Sequence, residues 1–265
     1  MRRIAVIPFI LLLCACNAFE YQPYDGRISG ETGINDKNVA LIESKCASKD
    51  TLRFILISDT QGWYDDTEDF VEVANKRSDI DFVIHAGDIS DFGVTKEFTW
   101  QRDILNVLRV PYVVLIGNHD SLGDGDEVFE KVFGKPNFAF RAGRVKFICL
   151  NTNALEFDYS NPIPNFDFMD SQLDSVPSQG DATVFVMHAR PFSEQFNNNV
   201  AKMFEYEIRR FPGLLFCLSG HDHQVEADNL FGDGVMYYAD ANIAKRKYFV
   251  FTVTPSGYTY EVVDF

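Results

Sequence analysis

Short apolar runs recur along the chain, separated by segments whose apolar positions fall three and four residues apart. The runs at 52–58 ("LRFILIS"), 81–87 ("DFVIHAG") and 111–117 ("PYVVLIG") read as strands buried on both faces. Between them, 66–77 reads as an amphipathic helix with Phe70, Val73 and Ala74 facing inward, and 95–108 as a helix with Phe98, Ile104, Leu105 and Leu108 apolar. This βαβαβ order predicts parallel strands. Further runs at 144–151, 183–189 and 213–219 predict more buried strands, with a helix over 199–211 between the last two. Upstream, Asn35 is placed to cap a short helix carrying Val39, Ile42 and Cys46. The C-terminal third is β-rich, and "PSG" at 255–257 predicts a hairpin turn. With no repeat, charge block or interior linker, one domain is expected over 35–265. The segments 121–140 and 153–180 are read as loops.

Composition fits that picture. The 265 residues are 46% hydrophobic and 14% aromatic, enough for one sizeable core. The 25 phenylalanines predict aromatic-rich layers. A formal charge of −15 argues against binding nucleic-acid duplexes, whose phosphates the chain would repel.

The N-terminus has its own pattern. "MRR" is a basic n-region, "IAVIPFILLLC" an apolar stretch too short to span a bilayer comfortably, and "LCAC" follows. A leucine, a small residue and a cysteine are arranged like a bacterial lipoprotein signal, with residues 1–15 removed and Cys16 lipidated; a cut before Cys14 and an ordinary secretory signal are the alternatives. Residues 16–34 are polar and Gly-rich, like a tether. Loss of Arg2 and Arg3 takes the formal charge from −15 to −17. The expected location is the bacterial cell envelope, with membrane attachment through the lipid alone. Beyond Cys16 only Cys46, Cys149 and Cys217 remain, an odd number that argues against a disulfide framework. Cys149 and Cys217 lie in apolar runs and read as small buried hydrophobes.

Candidate chemistry sits where the strands end. Asp59-Thr60-Gln61 follows the first strand, "GDISD" (87–91) the second and "GNHD" (117–120) the third. His188 follows "TVFVM", and "GHDH" (220–223) follows "LLFCLS". Ligands of open α/β sheets bind outside the carboxyl ends of the strands, so five polar signals converge on one rim. Carboxylate, imidazole and amide oxygen suit divalent metals. Any one of these motifs is weak; five in order, each after a strand, make a strong pattern. His85 lies inside a strand and reads as a satisfied core histidine. Asp91 and Asp120 have a structural alternative as helix N-caps, and Asp120 is left outside the site.

In this order the motifs resemble the calcineurin-like metallophosphoesterase superfamily, whose pattern is D-x-H, G-D-x-x-D, G-N-H-[DE], H, G-H-x-H. The resemblance covers residues 52 to about 225 and departs from the pattern at Gln61, where the family usually has His. It implies a four-layer α/β/β/α sandwich of two mixed sheets, the metallo-dependent phosphatase fold, with two divalent metals (Mn, Fe, Mg or Zn) on its rim. By the same resemblance Asp59, Gln61, Asp88 and His223 hold one metal and Asp88, Asn118, His188 and His221 the other. His119 protonates the leaving oxygen or stabilises the transition state, and Asp91 hydrogen-bonds His119 to hold it oriented and cationic.

Such a centre clamps phosphoryl oxygens and generates a hydroxide near neutral pH, which reconciles an acidic chain with an anionic phosphate mono- or diester. Gln61 offers a harder, weaker donor than imidazole, which favours Mn. Arg190 is a candidate phosphate contact, and Trp63 and Tyr64 candidate stacking surfaces for the organic part of a substrate; a surface arginine and helix-start packing are their bland readings. A monomer is expected. Competing readings are a non-catalytic metal-binding scaffold and an anion-binding lipoprotein. The presence of His119 with Asp91 argues for turnover.

Overall fold

The computed structural model describes residues 27–157, 160–173 and 181–265. The signal segment, Cys16 and most of the tether lie outside the described residues. No described helix is long and apolar enough to cross a membrane.

In chain order the elements are α1 (Ile34–Cys46), β1 (Leu52–Ile57), α2 (Tyr64–Asn75), β2 (Phe82–His85), α3 (Thr95–Leu105), β3 (Tyr112–Val114), α4 (Gly125–Val132), β4 (Phe138–Ala142) and β5 (Val145–Leu150). They continue with α5 (Phe166–Ser171), β6 (Ala182–Met187), α6 (Ala201–Ile208), β7 (Leu214–Ser219), β8 (Glu226–Asp228), β9 (Met236–Ala239), β10 (Lys247–Thr254) and β11 (Gly257–Asp264). One sheet runs β11-β10-β1-β2-β3 and the other β4-β5-β6-β7-β9-β8. In the first, β1, β2 and β3 are parallel and β10 joins antiparallel. In the second, β5, β6, β7 and β9 are parallel, with β4 and β8 antiparallel at the edges.

Strand periodicity explains the layering. Alternate residues of a strand point to opposite faces. Leu52, Phe54 and Leu56 of β1 therefore enter a core between the sheets, together with Val184 and Val186 of β6. Ile55 and Ile57 face the other way, onto Phe70 and Ala74 of α2, Phe98 of α3 and Phe129 of α4. Phe185 and Met187 face Phe204 and Ile208 of α6. The result is the expected α/β/β/α sandwich. Its inner layer is aromatic: Phe54 stacks on Phe82 at 5.1 Å and meets Phe147 edge-on at 5.3 Å. Cys46, Cys149 and Cys217 are buried free thiols.

Three expectations need correction. Gly33, at φ 63°, stands at the start of α1, and Asn35 is inside the helix rather than capping it. Its amide donates to the carbonyl of Val114 at 2.8 Å and accepts from the Val114 N–H at 2.9 Å, while Asn38 donates to the carbonyl of Tyr112 at 2.8 Å. These side chains satisfy main-chain groups that the outer edge of β3 would otherwise expose. At the other end of α1, Glu43 accepts from the Arg141 N–H in β4 at 3.1 Å, so the helix spans the edges of both sheets. Second, the segments read as loops contain α4, β4 and α5. Third, Val71 joins Phe70 and Ala74 on the buried face of α2, and Val73 packs at the border of that cluster, only partly buried.

Replacing Asn35 with Ala leaves two buried main-chain groups of Val114 without partners. We expect a loss of about 2–4 kcal/mol in unfolding free energy by urea titration, with the secondary-structure content of the folded state unchanged.

Candidate metal centre

Each site loop leaves the end of a parallel strand and turns sharply. Asp59 (φ 54°), Asp88 (φ 58°), His221 (φ 70°) and His223 (φ 54°) all adopt the left-handed backbone conformation that residues with side chains rarely take. Such outliers gather where function fixes geometry. Close packing explains two of the glycines: a Cβ on Gly117 would stand 2.1 Å from Asp88 Oδ1, and one on Gly220 would stand 1.8 Å from Ser58 Oγ.

The loops bring two overlapping groups together. Ligand atoms of Asp59, Asp88 and His223 lie within 4.8 Å of one another, as do those of Asp88, His188 and His221. Asp88 belongs to both. His223 Nε2 lies 3.2 Å from Asp59 Oδ1, and His188 Nε2 lies 3.3 Å from Asp88 Oδ2. Asn118 Oδ1 is 3.0 Å from both His188 Nε2 and His221 Nδ1. His188 Nδ1 donates to the Ala86 carbonyl at 2.8 Å, which leaves Nε2 to face the site. Burial disfavours a charge on His188, but the carboxylate of Asp88 outweighs it and lifts the ring to about 10. Hydrogen bonding to Asp59 raises His223, and burial lowers His221. The two buried carboxylates, Asp59 and Asp88, thus favour positive charge beside them.

Gln61 lies against the shared carboxylate. Its Nε2 is 3.5 Å from Asp88 Oδ2, and its buried Oε1 meets no donor. Rotation of the amide exchanges the two ends. An acceptor oxygen without a donor, beside carboxylates and imidazoles, fits a divalent cation.

His119 is held from two sides. Its N–H donates to Asp88 Oδ1 at 2.9 Å, and its ring Nδ1 donates to the main-chain carbonyl of Asp91 at 2.8 Å. This corrects the expected hydrogen bond to the Asp91 carboxylate, whose Oδ1 stands 3.8 Å from Nδ1. The carbonyl fixes the ring orientation and leaves Nε2 as the free ring nitrogen. Asp91 does not cap α3 either; Val94 occupies that position, and Glu97 Oε2 accepts from the N–H groups of Asp91, Phe92 and Val94.

The substrate candidates fare differently. Trp63 is half-exposed beside Gln61. Tyr64 packs edge-on against Trp100 of α3 at 5.6 Å, on the helix layer. Arg190 does not offer its guanidinium to a phosphate. It binds Asp222 and Asp228 at 2.6 Å each and Glu226 as well, tying the loop after β6 to the loop after β7 and to β8. The motif "HARPF" could not reveal partners that lie more than thirty residues downstream.

His85 is the core histidine expected. Gly87 N–H donates to its Nδ1 at 3.2 Å, so Nε2 carries the hydrogen and meets Thr60 Oγ1 at 2.9 Å.

Asp120 has a larger role than the sequence reading assigned to it. It is fully buried and caps no helix. Its carboxylate accepts from the N–H groups of Gly117 (2.8 Å), Asp88 (3.0 Å), Ile89 (3.0 Å) and Ser90 (2.7 Å), and from Ser90 Oγ. Burial and the charge of Asp88 push it up to about 6, against the pull of these donors. The available signal was an acid directly after "GNH".

Asn242 pairs with Ser58 in an isolated bridge, and Ile243 N–H donates to the Asp59 carbonyl at 3.2 Å. This puts Asn242 at the rim, next to Asp240, a fully buried acid the sequence reading passed over.

Comparison with known proteins agrees with this geometry. The family model described as calcineurin-like phosphoesterase matches residues 52–225. A 3',5'-cyclic-nucleotide phosphodiesterase of Nostoc sp. is 27% identical over 170 residues, which are 60% of this chain and 63% of that protein. The chain thus spans less than two thirds of that relative. Among solved structures, a purple acid phosphatase from yellow lupin aligns with TM-score 0.63 at 15% identity, over 82% of this chain and 52% of that one. A dimetal phosphatase from Danio rerio aligns with TM-score 0.53 at 12% identity, over 80% and 98%. At these identities the two structures speak to fold.

Gln61→His places a stronger nitrogen donor beside Asp59 and Asp88. Chelator competition should show tighter metal binding at that position, with a larger gain for Zn²⁺ than for Mn²⁺; unchanged or weaker binding would mean that Gln61 lies outside the coordination sphere.

Proposed function

The chain belongs to the calcineurin-like phosphoesterase family, and we propose that it hydrolyses a phosphate mono- or diester at a dinuclear metal centre. The observation that carries this reading is the pair of ligand groups sharing buried Asp88. Asp59, Gln61, Asp88 and His223 would hold one cation, and Asp88, Asn118, His188 and His221 the other. Two divalent cations supply Lewis acidity and the positive charge that phosphoryl transfer requires. The amide oxygens of Gln61 and Asn118 favour Mn²⁺.

The chain's own groups do the rest. The main-chain N–H of His119 keeps that residue beside Asp88, and the Asp91 carbonyl holds Nδ1. With Nδ1–H held there, the doubly protonated ring has its second proton at Nε2, placed to pass to the leaving oxygen as its bond to phosphorus breaks and leave the ring neutral. A passive metal scaffold gives no reason for a ring fixed in this way, so the catalytic reading is preferred. We further propose that the protein acts as a monomer at the cell envelope, anchored through Cys16. The reading rests on the N-terminal pattern. Incorporation of labelled palmitate should disappear in Cys16→Ala; persistence of the label would remove Cys16 as the anchor.

The activity is tested by nitrophenolate release from monoester and diester reporters with Mn²⁺. Wild type should turn over at least one of them, and Asp88→Ala should lose both activity and bound metal. His119→Ala should retain metal while kcat falls by roughly 10²–10⁴-fold. Wild-type rates no higher than those of the variants, on every ester, would falsify the proposal.

A further inference from the structure

Residues 220–225 connect β7 to β8, and both His221 and His223 stand on that connection. Its first residues are pinned to the site through main-chain groups. Gly220 N–H donates to the His188 carbonyl at 3.0 Å, His221 N–H to Asp59 Oδ2 at 3.1 Å, and Asp222 N–H back to the Gly220 carbonyl at 2.9 Å. His221 Nδ1 also lies 3.0 Å from Asn118 Oδ1. His223 comes after these ties. It enters the site through its ring, with Nε2 3.2 Å from Asp59 Oδ1, and its side chain is 42% exposed. Its φ of 54° is a backbone conformation that residues with side chains rarely hold unaided. Downstream, β8 is a three-residue strand at the edge of its sheet, which is a weak anchor.

Arg190 supplies the missing anchor from the other loop. It stands two residues past His188, and its side chain is 14% exposed. Its three nitrogens part to three acids. Nε donates to Asp222 Oδ2 at 2.6 Å, Nη1 to Asp228 Oδ2 at 2.6 Å, and Nη2 to Glu226 Oε2. Asp222 directly precedes His223, and Glu226 and Asp228 follow it, so the guanidinium brackets the histidine from both sides. A planar guanidinium holds its donors at fixed angles, and therefore fixes the two ends of the bracket relative to each other. The Arg190 end is itself held: Ala189 N–H donates to Thr152 Oγ1 at 3.1 Å, and His188 Nδ1 to the Ala86 carbonyl at 2.8 Å.

We propose that Arg190 is a positioning residue for His223, and through it sets the affinity of the cation position formed by Asp59, Gln61, Asp88 and His223. The position formed by Asp88, Asn118, His188 and His221 is held by its own ties and does not depend on Arg190. This rests on the dinuclear reading above and deepens it. Charge and positioning predict opposite signs. Removing a guanidinium and freeing three acids near the centre would, by Coulomb attraction alone, tighten both cations. Loss of the bracket loosens one of them.

The test is chelator competition with Mn²⁺ on wild type and Arg190→Met. Wild type should take two Mn²⁺. In the variant one should bind about tenfold or more weaker, the usual cost of losing a residue that orients a ligand, and the other should be unchanged. Arg190→Met combined with His223→Ala should weaken that cation no further than His223→Ala alone. At saturating Mn²⁺ the KM for p-nitrophenyl phosphate esters should match wild type. Glu226→Gln with Asp228→Asn leaves Arg190 in place and opens the downstream side of the bracket. It should reproduce part of the loss, and it decides the question if Arg190→Met folds poorly. Both cations unchanged or tighter, both weakened equally, additive losses with His223→Ala, or a raised KM with Mn²⁺ binding intact would each overturn the assignment; the last would make Arg190 a substrate contact. Hydrogen exchange of the metal-free protein gives a readout apart from metal: amides at 222–228 should exchange faster in Arg190→Met, and those at 186–189 should not. If wild type takes fewer than two Mn²⁺ but this difference holds, the dinuclear reading fails and the bracket on His223 stands; equal exchange overturns the bracket.

Discussion

The site depends on one buried carboxylate that touches none of the candidate ligands' side chains. Asp120 gathers the N–H groups of Gly117, Asp88, Ile89 and Ser90, and so locks the loop after β2 to the loop after β3. A carboxylate is costly to bury unless its oxygens are satisfied, and main-chain N–H groups are costly to bury unless they have acceptors. Each removes the other's penalty. The lock fixes Asp88 in its left-handed backbone, and Asp88 in turn orients His119 through the main-chain N–H. Positioning at the reacting centre is inherited from hydrogen bonds one layer beneath it.

The same economy governs the meeting of the two sheets. β1, β2 and β3 deliver Asp59, Asp88 and Asn118; β6 and β7 deliver His188, His221 and His223. The seam between them is closed by the Ser58–Asn242 bridge, by the His221 N–H donating to Asp59 Oδ2 at 3.1 Å, and by Gly220 packed against Ser58. Both ligand groups draw on both sheets, so their geometry reports the relative placement of the sheets as well as of the loops.

Much of this was legible in the sequence because the strands carry their ligands at their ends. Two-sided burial made the runs at 52–58 and 183–189 unambiguous, and Asp59 and His188 followed from position alone. What escaped were interactions that depend on partners distant in sequence. Asn35 looks like a helix cap locally and is a sheet-edge partner globally. Arg190 looks available until Asp222, Glu226 and Asp228 close around it. Asp91 was expected to act through its carboxylate and acts through its carbonyl, a group that sequence cannot distinguish between residues. α4, β4 and α5 lie in segments whose patterns are short, and tertiary packing decided them.

The bridge made by α1 also sets an order of assembly. Asn35 bonds Val114, 79 positions later, and Glu43 bonds Arg141, 98 positions later. Helix formation is local, but this helix has no seat until the third strand is in place and no second foothold until β4 has formed. As the chain emerges N-terminal end first, the first helix of the domain therefore waits, unpaired, until both sheet edges it will cover have emerged. The first described element is thus the last of that neighbourhood to dock, and it closes a sandwich that the later strands have already begun.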